Sequence, residues 1–123
     1  MRYMLLIYTT EAEPGAVSAE EMARVAATHR QVMDDAAKRK VFVAAEPLRS
    51  TDTATTIRRQ GDRYLMLDGP FAETKEQLAG YYILDCADLD EAIDWARRIP
   101  TACGGAEGCV EIRPIAPLAG PNG

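Results

Sequence analysis

Two residue types that metal centres and disulfide frameworks depend on are nearly missing from these 123 residues. There is one histidine, His29, and there are three cysteines, Cys86, Cys103 and Cys109, with no C-x-x-C spacing. An odd cysteine count without that spacing argues against a disulfide framework and against a zinc site. One histidine among scattered carboxylates supplies no metal-ligand set, so neither a metal nor a cofactor is expected. A positive charge balance is also missing. Lys and Arg number 14 against 19 Asp and Glu, for a net charge of −5 and a pI near 4.9. An acidic domain repels phosphate backbones, which disfavours direct binding of nucleic acid. No apolar run approaches the ~18 residues that cross a bilayer as a helix. Met1-Arg2-Tyr3-Met4-Leu5-Leu6-Ile7-Tyr8 opens like a signal peptide. Its apolar run is too short and no small-residue cleavage site follows directly, so it reads as a strand and the expected location is cytoplasmic. Internal repeats and low-complexity segments are absent.

What is present is ordinary globular material, 47% hydrophobic and 27% charged, enough for one core in one domain. Residues 1–116 read as that domain and 117–123, rich in Pro and Gly, as a loose tail. Arg2 to Tyr8 suits a central strand, and Pro14-Gly15 punctuates the loop after it. Ser18 with Glu21 three residues on marks a helix N-terminus. Met22, Val25, Ala26, Val32, Met33, Ala36 and Ala37 form the helix's apolar stripe to about Arg39. His29 falls inside that stripe, which aims the imidazole at the core or the sheet. Two readings stand: a half-buried histidine satisfied by one hydrogen bond, or a general acid/base lining a pocket between helix and sheet. Val41 to Glu46 reads as a second strand ended by Pro47, with Leu48 to Thr53 as a polar connector.

Ala54–Arg59 and Arg63–Asp68 then form a hairpin around Gln60-Gly61-Asp62. Arg58-Arg59 marks the first run as exposed, and Tyr64-Leu65-Met66-Leu67 reads as the more buried partner. Leu78 to Asp85 is another strand, where Gly80 signals a bulge or a close approach. Asp88 caps a second helix with Leu89, Ala92, Ile93, Ala96 and Ile99 inward and Trp95 at the flank as a partly buried anchor. The Gly-rich loop around Cys103 to Gly108 lacks the features of a phosphate-binding loop. Cys109 to Arg113 alternates as a last strand with Val110 and Ile112 inward.

The order β-α-β, hairpin, β-α-β predicts an α+β sandwich of the ferredoxin-like sort with both helices on one face. Two helices leave the other sheet face open. Tyr and aliphatic residues on both faces of the first and fifth strands predict a homodimer joined sheet to sheet. The stretch that organises the chain is Asp68-Gly69-Pro70-Phe71-Ala72-Glu73-Thr74-Lys75-Glu76. Gly and Pro force a break at the end of a strand, and two carboxylates and a cation stand around it. An ordinary turn uses Asp before Gly-Pro in the same way, its carboxylate accepting a local N–H.

That nine-residue stretch resembles the signature of the DGPF branch of YCII-related proteins. The first eight residues, Asp88-Leu89-Asp90-Glu91-Ala92 with Trp95-Ala96 and Pro100, and Val110-Glu111-Ile112-Arg113-Pro114 extend the likeness to nearly the whole chain. The resemblance implies a dimeric α/β-barrel arrangement. It also implies a proposed His/Asp pair in a cleft, whose histidine lies on the first helix where His29 stands. Some relatives resemble enzymes that dehalogenate or isomerise lactones. The family's aspartate lies near the end of the second helix, beside a proline, where this chain has Arg98-Ile99-Pro100 and no carboxylate. Asp68 takes its place only if its turn folds back beneath the first helix. The resemblance further implies an association with extracytoplasmic-function sigma factors.

Two functions follow as expectations. In the first, a small-molecule enzyme uses His29 as general base and Asp68 as its orienting or acidic partner, with Glu46, Arg58, Phe71, Glu73 and Lys75 binding ligand. In the second, a dimeric regulatory module holds a ligand or a basic protein partner such as a sigma factor and catalyses nothing.

Overall fold

The apolar run at the start of the chain becomes β1 (Arg2–Thr9), whose alternate residues Tyr3, Leu5 and Ile7 are buried on one face. The computed structural model describes residues 1–12, 15–101 and 107–118. The sheet is completed by β2 (Phe42–Pro47) and, later in the chain, by two further strands. A separate ribbon is built from β3 (Thr55–Gln60) and β4 (Arg63–Asp68). Then come β5 (Gln77–Asp85) and β6 (Gly108–Pro114), with helices α1 (Ala19–Lys38) and α2 (Leu89–Ala96) in the two crossovers. The main sheet has the order β2-β5-β1-β6 with antiparallel neighbours, and β3-β4 forms its own two-stranded sheet. The fold is α+β and compatible with a ferredoxin-like sandwich in which the ribbon is inserted between β2 and β5.

Both helices cover the face that carries Tyr3, Leu5, Ile7, Tyr82 and Leu84. They contribute Val32, Ala36, Ala92 and Trp95, and Ile99 follows α2 into the same cluster. Leu5 and Leu84 are fully buried, each worth about 1.5–3 kcal/mol by transfer from water. Ser18 caps α1 by accepting from the Glu21 N–H at 3.1 Å, and Asp88 caps α2 by accepting from the Glu91 N–H at 2.9 Å. The far end of α1 closes in a Schellman turn. Val41 N–H donates to the Ala36 carbonyl at 2.9 Å and Lys40 N–H to that of Ala37 at 3.0 Å. Lys40 sits in the left-handed region (φ 62°), where glycine is usual.

The bulge and the close approach signalled by Gly80 both occur. Register with β1 shifts between Ile7 and Tyr8, and a Cβ on Gly80 would lie 2.8 Å from the Glu46 carbonyl oxygen. Other expectations fail. Every residue of β4 is exposed, so Tyr64-Leu65-Met66-Leu67 is not the buried strand of the hairpin. An apolar run shows that a surface wants covering, not that its own body covers it. Trp95 is a core residue at 3% exposed, and Leu89 at 49% lies outside the buried stripe. Met22, Ala26 and Ala37 are exposed, because the apolar side of α1 that is covered narrows to Val25, His29, Val32, Met33 and Ala36. Pro14, the Gly-rich loop over 102–106 and residues 119–123 of the tail lie outside the described residues.

Candidate functional site

The Asp68 turn is held in place from two sides. Gly69 adopts φ +107°, a conformation open to glycine at little cost. Its N–H donates to the Ala54 carbonyl at 2.7 Å, and its own carbonyl accepts from the Thr56 hydroxyl at 2.8 Å. The turn therefore closes onto the start of β3. Farther along, the Thr74 hydroxyl donates to the Glu76 carbonyl at 2.6 Å and Gln77 Nε2 to the Thr74 carbonyl at 2.8 Å. A third segment joins from the loop after β1. The Glu11 carboxylate accepts from the Thr51 N–H at 2.7 Å and from its hydroxyl at 3.2 Å, while Glu11 N–H donates to Gln77 Oε1 at 3.2 Å.

Where these segments meet lies a cleft of about 520 Å³. Asp52, Asp68 and Glu73 supply three carboxylates, and Thr51, Thr74 and Gln77 supply hydroxyl and amide groups. Pro70 and Ala72 give it an apolar wall. Its lining contains no Lys, Arg or His. Among the described residues, no group of three His, Cys, Asp or Glu side chains is placed to hold a metal ion. The chemistry of such a cleft is acceptance: it suits a ligand that presents N–H donors or an organic cation.

His29 is elsewhere. Its Nδ1 lies 2.7 Å from the Tyr82 hydroxyl oxygen, and the two rings stack with centroids 5.8 Å apart. The same hydroxyl lies 3.5 Å from the His29 carbonyl, within reach as a donor. Burial lowers the pKa of His29 from 6.5, and burial pushes Tyr82 up to about 12. A carboxylate beside the ring would act in the opposite direction on His29, and Asp68 lines the cleft rather than the imidazole. His29 and Asp68 are thus placed in separate surroundings, His29 against Tyr82 and Asp68 in the lining of the cleft.

The remaining candidates scatter. Glu73 joins Asp68 in the cleft. Glu46 is exposed on β2, opposite Tyr81, and Arg58 is exposed on β3, opposite Leu65. Phe71 is 74% exposed, and Lys75 is exposed in the turn without lining the cleft. Sequence reasoning missed Glu11, Thr51, Asp52, Thr74 and Gln77. Ser50-Thr51-Asp52-Thr53 does carry turn chemistry that could have marked a short 3-10 turn. Nothing local marks Glu11, which reaches Thr51 across 40 positions of sequence.

The face of the sheet away from the helices carries Met4, Leu6, Tyr8, Tyr81 and Ile83, all half-buried. At its β6 side the Tyr8 hydroxyl lies 3.5 Å from Glu111, and Cys109 Sγ lies 3.7 Å from Glu76. Burial and the neighbouring carboxylates raise the pKa of both Tyr8 and Cys109. This is no nucleophilic thiolate. Among the described residues no helix is long and apolar enough to cross a membrane.

Comparison with known proteins gives a consistent result. A family model described as YCII-related domain matches residues 1–119. An uncharacterized protein of Rhizobium meliloti (strain 1021) is 40% identical over 122 residues, covering 94% of this chain and 93% of its own length.

Proposed function

The chain belongs to the YCII-related domain family, and from that premise we propose that it is a binding module whose cleft, beneath the Asp68–Glu76 turn, takes a small polar molecule carrying a protonated amine or guanidinium. The observation that supports this reading is the cleft's lining: three carboxylates with hydroxyl and amide groups beside them, and no cationic side chain among them. Pinning of the turn by Ala54 and Thr56 argues for a pre-formed site, which lowers the ordering cost of binding. Titration calorimetry with putrescine, ethanolamine and arginine tests it. At least one of them should bind, and Asp68→Asn and Glu73→Gln should each weaken that binding about tenfold, the worth of a charge-assisted hydrogen bond. No binding by any of the three, or binding indifferent to both substitutions, contradicts it.

A second reading is a proton-transfer enzyme with His29 as base. It draws on the Nδ1 contact with Tyr82 at 2.7 Å, which orients the ring. Turnover of a small carbonyl or lactone substrate, lost in His29→Gln with the fold intact, would favour it. Under either reading the open sheet face is a surface for pairing with a second copy, supported by the half-buried apolar residues of β1 and β5.

A further inference from the structure

The β3-β4 ribbon is tied to the body by few bonds. Its two strands pair with each other, and neither packs extensively on another strand or helix. The connector before it leaves β2 with one backbone hydrogen bond to the body, Leu48 N–H donating to the Ala79 carbonyl at 2.8 Å. The connector after it rejoins the body at Thr74, whose carbonyl accepts from Gln77 Nε2 at 2.8 Å. Between those points, over residues 49–73, the hydrogen bonds of the described residues stay inside the segment with one exception. The exception is Glu11. Its carboxylate, from the loop after β1, accepts from the Thr51 N–H at 2.7 Å and from the Thr51 hydroxyl at 3.2 Å. No salt bridge among the described residues joins the segment to the body.

Internally the segment is well knit. The 3-10 turn Thr51–Thr53 leads into β3 through Ala54, whose N–H donates to the Thr51 carbonyl at 3.0 Å. Gly69 closes the other end onto Ala54 and Thr56. Thr51 to Gly69 is therefore one unit, whereas Pro70 to Glu73 carries no hydrogen bond to either side among the described residues. Glu11 is itself fixed to the body. Its N–H donates to Gln77 Oε1 at 3.2 Å, and Gln77 pairs with Thr9 in the β1-β5 ladder. The Glu11 side chain is exposed, so water competes for its contacts with Thr51.

We propose that residues 51–69 form a hinged arm, latched to the body by Glu11 on Thr51, and that its swing sets the width of the cleft. The cleft lies across the hinge. Asp52 and Asp68 line it from the arm, Thr74 and Gln77 from the body, and Glu73 from the strip between. Releasing Thr51 frees the arm to turn about Leu48 on one side and Pro70–Glu73 on the other. The turn uncovers no core, because every residue of β4 and all but one of β3 is already exposed. A rigid unit on two connectors moves by hinge rotation, the connectors absorbing the change in backbone angle. Opening breaks the hydrogen bonds of one exposed carboxylate, which puts the arm at the low end of local opening energies. The arm and its latch do not depend on what the cleft binds.

The test is the set of N–H residual dipolar couplings of the full chain, weakly aligned and without any amine added. Such couplings average over motion into the millisecond range, which includes hinge rotation. In the wild-type chain β3 and β4 should fit the alignment frame of β1 and β5 at full magnitude. In Glu11→Ala the ribbon's couplings should shrink by about a third or more, the step from rigid to flexible backbone, while those of β1, β5 and α1 keep their values. Glu11→Gln retains an acceptor oxygen and should hold the ribbon closer to its wild-type magnitude. Thr51→Pro removes both donors from the arm's side of the latch, and Ser50 at ψ 156° is already suited to a following proline. It should loosen the ribbon as Glu11→Ala does. Ribbon couplings of full size in Glu11→Ala would overturn the proposal. Couplings as small in the wild-type chain as in that variant would overturn it too, because nothing would then be latched. A rigid ribbon in Thr51→Pro would overturn it by placing the effect of Glu11 elsewhere. The sample contains no amine, so failure of the arm and failure of the binding reading are seen apart.

Discussion

The main sheet and the β3-β4 ribbon are both rich in apolar side chains, yet they stand at opposite ends of the burial scale. In β5, alternate residues Tyr82 and Leu84 are buried beneath helices that arrive from both crossovers. In β4, four consecutive apolar residues are exposed. The difference lies in connectivity, not in composition. β1, β2, β5 and β6 are each followed or preceded by a helix whose caps and stripe bring it back onto the sheet. The ribbon is joined to the body by the connectors 48–54 and 69–76, neither of which carries such an α-helix. Its base is held by the Gly69 hydrogen bonds with Ala54 and Thr56. One region buries a face beneath its own helices; the other has no helix of its own chain above it among the described residues.

Substitutions of equal chemistry in the two regions break this comparison most sharply. Leu84→Ala should cost about 3 kcal/mol or more, as removal of a fully buried side chain leaves a cavity. Met66→Ala, at 73% exposed, should change the stability of the dilute chain by about 0.5 kcal/mol or less. Chemical denaturation of both variants at low concentration checks the contrast.

A smaller effect belongs to the body alone. Lys40→Gly relieves a side chain held at φ 62° in the Schellman turn after α1, and should stabilise the chain by about 1 kcal/mol. Thermal melting measures it, and protection of the ribbon's amides should not change.

The gentlest probe is pH. Burial lowers the folded-state pKa of His29 below the 6.5 of the unfolded chain. Below pH ~6.5 the unfolded state therefore takes up a proton that the folded state refuses, and stability falls as pH falls. Above that value His29 contributes no slope. NMR titration of the single imidazole should give a pKa under 6.5, unaffected by Asp68→Asn because the two groups occupy separate surroundings. His29→Gln should remove its share of the slope.

Much of the body was legible in the sequence because its signals are local. Ser18 and Asp88 are caps three residues ahead of a glutamate, Gln60-Gly61-Asp62 lies at the hairpin's turn, and Gly80 marks a bulge under a crossing carbonyl. His29 was readable as half-buried from its place between Val25 and Val32. Its partner Tyr82 was not, because the two meet across 53 positions through the packing of α1 on β5. The cleft was half legible. Asp68 and Glu73 stand out in the turn, whereas Glu11, Thr51 and Gln77 become neighbours only after three loops converge. The exposure of Tyr64-Leu65-Met66-Leu67 was not legible, since periodicity records which side chains seek cover and is silent about whose surface gives it.

The most direct test of the contrast between body and ribbon is native-state amide hydrogen exchange of the full chain. Amides of β1 and β5 should exchange slowly, as the body opens at the cost of its own core. Amides of β3 and β4 should exchange faster, because no helix covers the ribbon. Ribbon amides as well protected as those of β1 and β5 would contradict the account, because the ribbon would then be as stable as the covered sheet.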